Sequence, residues 1–136
     1  MNPSSDELKV ILQEAKTIAV VGLSDNPTRD SFNVASYLKD NQYSIIPVNP
    51  TLQEVLGQDC FAELTDIDID IDIVDIFRRS EFVSDIVDQA ISIGAKCIWM
   101  QDGVIDQQSA QRASDAGLAV IMDDCILRQH KRLFSA

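Results

Sequence analysis

The sequence predicts an α/β fold, a three-layer sandwich with helices on both faces of a five-stranded parallel sheet. Three observations predict it. First, five short apolar runs punctuate the 136 residues: 18–21 (IAVV), 43–48 (YSIIPV), 71–77 (IDIVDIF), 97–100 (CIWM) and 118–122 (LAVIM). Runs of this length and composition suit strands buried on both faces. Second, the segments between them carry apolar residues at helical spacing. Third, strands and helices alternate, which implies parallel strands joined by crossovers. Right-handed crossovers make 3-2-1-4-5 the natural order, with ligands bound outside the strands' carboxyl ends where the order reverses.

Each element has its own signature. Ser4 and Glu7 have capping-box spacing, and Leu8, Ile11, Leu12 and Ala15 follow as an apolar stripe. Strand one runs straight into Gly22, and Asp30-Ser31 can cap a second helix over about 32–40. Strand two closes on Asn49-Pro50, with Pro47 near its margin. Leu52, Val55 and Leu56 suggest a short helical piece stopped by Gly57. Residues 65–76 read TDIDIDIDIVDI, an Asp/Ile alternation that would crowd carboxylates on one strand face. A loop is expected over 65–70, with the acidic residues solvated, and strand three over 71–77. An EF-hand pattern with central glycine and terminal glutamate is missing there. Ser80 caps the next helix, which Gly94 stops. Asp106 caps a helix ended by Gly117, and a last helix carries Ile126, Leu127, His130 and Leu133.

Composition narrows the function. The chain reads as one domain over 1–136, without internal repeat or linker. Its formal charge of −11, from 22 acidic against 11 basic residues, argues against nucleic acid as a partner. No apolar run approaches a bilayer span and no secretory signal is evident, so a cytoplasmic protein without membrane contact is expected. Cys60, Cys97 and Cys125 are too few and too scattered for a zinc site or disulfide framework, and read as small buried apolar residues. No metal site is expected.

The stretch 22–31 (GLSDNPTRDS) organises the rest. A strand, a glycine turn and a helix start together direct backbone N–H groups and the positive helix end at one place, where anions bind. Arg29 adds a planar donor fork suited to phosphate. A nicotinamide dinucleotide would want G-x-G-x-x-G here, but Ser24 and Pro27 occupy the later glycine places, and strand two ends without a carboxylate. A Walker-type G-x-x-x-x-G-K-[ST] is missing as well, as are the acidic pair, aspartate and lysine of a phospho-accepting receiver.

Five stretches carry a resemblance: G-L-S-D-N-P-T-R-D-S, P-V-N-P, D-I-V-D-I-F-R, G-A-K-C-I-W-M-Q-D-G-V and A-G-L-A-V-I-M-D-D-C. Together, and in this order, the chain resembles the small stand-alone coenzyme A-binding domain proteins. These are Rossmann-like and similar to the N-terminal domain of the succinyl-coenzyme A synthetase α subunit. The resemblance implies binding of coenzyme A or an acyl-coenzyme A, with phosphates at the first glycine turn. By motif it implies Gly22, Leu23, Ser24, Pro27, Arg29 and Ser31 at that turn, Asn49 and Pro50 after strand two, Phe77 and Arg78 after strand three, and Gln101 and Gly103 after strand four. Ser24, Arg29 and Ser31 can donate to the pyrophosphate, and Arg78 or Arg79 can meet a 3′-phosphate. Phe77 can lie against adenine or simply fill core. Two residues differ from the family's habit: Leu23 stands where a smaller residue is usual, and Asp124 where an arginine is.

No catalytic set is evident. The only histidine, His130, lies among Arg128, Lys131 and Arg132, which reads as a solvated basic helix end. A binding module is therefore expected rather than an enzyme. A subunit or partner of an acyl-coenzyme A ligase or transferase, and a scaffold with a vestigial pocket, remain open, as does a homodimer.

Overall fold

The computed structural model describes residues 2–135. Helix α1 (Ser5–Glu14) leads into strand β1 (Thr17–Val21), helix α2 (Asp30–Asp40) and strand β2 (Ser44–Val48). A two-stranded hairpin, β3 (Glu54–Val55) and β4 (Gln58–Asp59), and a 3-10 turn (Leu64–Asp66) precede β5 (Ile73–Ile76). The chain then forms α3 (Val83–Ser92), β6 (Cys97–Met100), α4 (Gln107–Asp115), β7 (Ala119–Ile121) and α5 (Ile126–Phe134). The main sheet has five strands, parallel throughout, in the order β2-β1-β5-β6-β7.

The fold class and the parallel sheet match the sequence reading, and the strand order corrects it. The third predicted strand, β5, lies beside β1 and opposite β2, so the order in predicted strands is 2-1-3-4-5 rather than 3-2-1-4-5. The reason lies in the chain between β2 and β5. Its apolar residues Leu64, Ile67 and Ile71 pack with Val83, Ile86, Val87 and Ala90 of α3, on the sheet face opposite α2. A right-handed crossover on that opposite face must run in the opposite direction across the sheet, to the far side of β1. The order therefore reverses between β1 and β5, and the loops after these two strands meet.

Strand alternation divides the core. Ile18, Val20, Ile73, Trp99 and Ile121 face α1, α2 and α5, while Ala19, Val21, Val74, Ile98 and Met100 face α3 and α4. Each fully buried Leu or Ile here contributes about 1.5–3 kcal/mol relative to exposure.

Several local expectations also change. Ser4 and Glu7 do form the capping box of α1. The helical piece near Val55 is instead the β3–β4 hairpin, turned by Leu56 at φ 55° and Gly57 at φ 75°. Two successive positive φ values suit a two-residue hairpin turn, whose twist matches the strands. Asp30 and Ser31 are the first residues of α2 rather than its cap, which is Arg29 with no side-chain capping bond. Ser80 does not cap α3; its Oγ accepts from the Ile105 amide at 2.9 Å. Asp106 stands at the N-cap of α4, but its carboxylate accepts from the Ser109 hydroxyl at 2.6 Å.

The Asp/Ile run separates into three roles. Asp66, Asp68 and Asp70 are exposed. Asp72 accepts from the Lys16 and Thr17 amides at 2.8 and 3.0 Å and pairs with Lys96 at 3.3 Å, pinning the start of β1. Partial burial pushes its carboxyl up, but these donors outweigh it and hold the group below the usual carboxylate value. Asp75 is wholly buried in the central strand.

Candidate functional site

The switch point creates a cleft of about 550 Å³ at the carboxyl edge of the sheet. Its walls come from the first turn of α2 (Asp30, Asn33, Val34), the segment after β5 (Phe77, Arg78, Arg79), the loop after β6 (Gln101 to Val104) and the start of α5 (Cys125, Leu127). A smaller cleft of about 150 Å³ lies on the other side of Arg78, bordered by Val21 and Pro50. Arg78 thus lines both, with its guanidinium 4.4 Å from the centre of the exposed Phe82 ring.

Gly22 brings these loops together. Its φ of 87° suits glycine, and an added Cβ would sit 2.8 Å from the Phe77 carbonyl oxygen and 2.9 Å from Arg78 Cδ. The space a side chain would need is thus filled by the loop after β5. The glycine thus permits close contact between the two loops.

Much of the first turn is engaged with itself. The Gly22 amide donates to Val48 O, the Ser24 amide to Ser31 Oγ at 3.0 Å, the Asn26 amide to Ser24 Oγ and the Thr28 amide to Asn26 Oδ1. These amides are not free for a ligand, which corrects the picture of a cradle running the length of 22–31. Ser24 and Ser31 act as acceptors inside the turn. Pro27 is exposed, and its carbonyl accepts from Asn33. The Leu23 side chain is fully buried in the core, so it narrows no pocket. What remains open is the start of α2: among the described residues no side chain caps it, and the Arg29 guanidinium makes no hydrogen bond or ion pair, although its backbone bonds Asn26 and Asn33. The first amides of an uncapped helix carry partial positive charge.

Asn49 is a staple between loops: its Nδ2 donates to Leu23 O at 3.0 Å, and its Oδ1 accepts from the Thr51 amide and hydroxyl. Phe77 is half-buried, packing against the core while also lining the cleft. Gln101 is buried and its Oε1 accepts from the Ile126 amide at 3.1 Å, capping α5. Gly103 is exposed at the rim, and its amide donates to Asp123 Oδ1 at 2.7 Å. Of the twelve residues expected at the site, the larger cleft gathers Phe77, Arg78, Gln101 and Gly103. Pro50 borders the smaller one, and the remaining seven form the scaffold behind or the rim.

The sequence reading missed Asn33, Val34 and Leu127, which line the cleft from helices. It also missed the answer to Asp124. That carboxylate accepts from Arg128 at 2.7 Å and from Gln129 at 2.9 Å, while Arg128 also holds Asp102 at 2.8 Å. The Arg128 hydrogen bond keeps Asp102 below the usual carboxylate value. The Asp124 charge is thus offset by a cation four residues on. Helical i,i+4 spacing from Asp124 to Arg128 is the signal that could have found it.

A larger groove of about 630 Å³ follows edge strand β7 between α1 and α4. Among the described residues its only charged lining residue is Glu7, so these side chains offer an anion no cation. Cys97 is buried as expected, whereas Cys60 and Cys125 are only half-buried.

Comparison with known proteins gives this cleft its context. The family model described as "CoA binding domain" matches residues 16–131. The chain belongs to the CoA-binding domain family. Bacillus subtilis (strain 168) protein YneT is 45% identical over 129 residues, covering 95% of this chain and 96% of that one. A hypothetical protein from Pyrococcus horikoshii OT3 superposes with a TM-score of 0.95 at 36% identity, covering 98% and 94% of the two chains. The ADP-forming acetate–CoA ligase of Methanocaldococcus jannaschii is 29% identical over 90 residues, which are 66% of this chain and only 13% of the ligase. The CoA-binding domain here therefore corresponds to a small part of that enzyme. No helix among the described residues is long and apolar enough to cross a membrane.

Proposed function

We propose that this CoA-binding domain holds coenzyme A or an acyl-coenzyme A in the cleft at the β1/β5 switch point, without catalysis of its own. The observation that carries the reading is Arg78, with Arg79 beside it, at the mouth of an open cleft faced by the uncapped start of α2. Two guanidinium groups and a positive helix end suit the pyrophosphate and 3′-phosphate of that ligand. The cleft volume of about 550 Å³ falls within the roughly 300–1,000 Å³ of small-molecule sites. Phe77 offers an aromatic face, and Val34 and Leu127 an apolar wall for the pantetheine arm. Gly22, Asn49 and Gln101 act through scaffold contacts, fixing the loops that carry Arg78 and the α5 start. Arg29, next in sequence to the cleft-lining Asp30, would add a third cation. Coenzyme A is a cytoplasmic thiol cofactor, and three unpaired cysteines fit that reducing compartment.

The likeness to one part of an ADP-forming ligase favours a second reading, in which a partner protein supplies the remaining chemistry and this chain presents the thioester. Isothermal titration with coenzyme A tests the first reading. Wild-type protein is expected to bind, and Arg78→Ala to lose about tenfold in affinity, equivalent to about 1.4 kcal/mol. Arg29→Ala is expected to lose less. No heat with either coenzyme A or acetyl-coenzyme A, or an Arg78→Ala affinity equal to wild type, would contradict it.

A further inference from the structure

His130 was expected on a solvated helix end, and the structure buries it. It is 8% exposed, with Nδ1 2.7 Å from the Tyr37 hydroxyl. Tyr37 and Tyr43 present their rings edge-on, with centroids 5.4 and 5.7 Å away, and Phe134 lies at 4.7 Å. Tyr37 belongs to α2 and His130 to α5, so this contact is a polar tie between the two helices. Each tie residue lies three positions after a residue of the ligand cleft: Val34 before Tyr37, Leu127 before His130. Three residues are about one helical turn, or about 5 Å of axis. The tie thus sits one turn behind both helical walls of the cleft.

The surroundings disfavour a proton. Among the described residues the charged groups recorded around the box are Lys9, 5.7 Å from the Phe134 centroid, Lys131, 5.4 Å from that of Tyr37, and Lys16, which lines a cleft of about 280 Å³ that reaches His130. Among the described residues no carboxylate pairs with His130. Burial raises the pKa of both Tyr37 and Tyr43, so their hydroxyls stay neutral across the range in which imidazole titrates. The small cleft beside Gln42, Tyr43 and Phe134 gives water a route to the ring.

We propose that the His130–Tyr37 contact is an acid-sensitive latch between α2 and α5, and that a proton entering at His130 loosens both helical walls of the ligand cleft. This regulation rests on the ligand reading above, whereas the latch itself does not. Burial holds the imidazole pKa below its usual value. Its contribution is therefore complete above the ordinary imidazole value of about 6.5, and is lost as pH falls through that value toward the lowered one. In the tautomer with a bare Nδ1 the imidazole accepts the Tyr37 proton; the imidazolium carries a proton on both nitrogens, so the hydroxyl must turn to accept instead and a charge is left in the aromatic box.

The full chain contains one histidine, so its imidazole resonances titrate without ambiguity. NMR titration is expected to place His130 below the usual imidazole value. Hydrogen exchange of α2 and α5 amides, corrected for intrinsic rates, is expected to quicken about three- to tenfold between pH 7.5 and 5.5, tenfold corresponding to one pKa unit. His130→Gln keeps an acceptor but takes no proton in this range, and is expected to abolish that acceleration. If that variant does not fold, Tyr37→Phe keeps the imidazole, removes the tie, and is expected to blunt the response. Coenzyme A affinity should fall by a similar factor in wild type relative to His130→Gln. An imidazole titrating at or above its usual value, or the same acid response in wild type and both variants, overturns the latch. Failure of coenzyme A to bind at pH 7.5 overturns the ligand reading and leaves the exchange result to decide the latch.

Discussion

Asp75 sits in the middle of the central strand, opposite Val20 on one side and Trp99 on the other. Its carboxylate is wholly buried, and neither oxygen has a hydrogen-bond partner. A charge in that place would be very costly, so burial raises its pKa well above the usual value and the folded chain keeps the acid neutral. The unfolded chain releases that proton near pH 4. Stability contributed here is therefore complete below the ordinary carboxylate value and falls as pH rises toward the raised one, by up to about 1.4 kcal/mol per pH unit. Asp75→Asn is expected to remove that slope, so the gap in denaturant-measured stability between variant and wild type should move in the variant's favour from pH 5 to pH 7. Equal slopes would mean that Asp75 ionises within the fold. The sequence hides this residue, because Asp75 closes a run of aspartates whose other members are solvated or bonded. Only three-dimensional register separates it from Asp72, three residues earlier.

At the scale of elements, strands and long helices were legible, because apolar period is set by local geometry. Their ends were less so. Asp30-Ser31 and Ser80 have capping side chains, yet Ser31 serves the Ser24 amide and Ser80 the Ile105 amide. Long-range partners competed for the same oxygens, and sequence spacing records only the local option. Leu56 misled for a related reason: with Leu52 and Val55 it imitates helical period, while hairpin pairing of Glu54 with Asp59 holds it at positive φ. Gln101 shows the reverse case, a loop residue that proves to be the cap of α5 from 25 positions away. Gln101→Ala should free the Ile126 amide in a buried place and cost about 1–2 kcal/mol, read as a lower thermal midpoint. The start of α5 should loosen with it, seen as faster exchange at residues 126–129. A midpoint within error of wild type would show that water replaces the cap.

For the whole molecule, alternation of strand and helix determined a parallel sheet, but not the side of β1 on which the third strand enters. That choice depended on Leu64 and Ile67 joining the α3 face, a packing event in a segment with little regular structure. Its consequence is functional. Because β5 adjoins β1, Phe77 and Arg78 abut Gly22, and the cation-bearing loop faces the open end of α2. The candidate site was thus legible as a set of loops at one sheet edge. The division of labour within it was not, since motif matching cannot tell a residue that meets a ligand from one that braces the loop. The chain's net charge of −11 makes the local arrangement decisive, because an anion gains nothing from the overall field. Amide chemical-shift mapping of the isotope-labelled chain during titration with coenzyme A is the most direct measurement. The account predicts saturable changes concentrated at 30–34, 77–79, 101–104 and 125–127. Changes confined to the β7 groove between α1 and α4, or none at millimolar ligand, would contradict it.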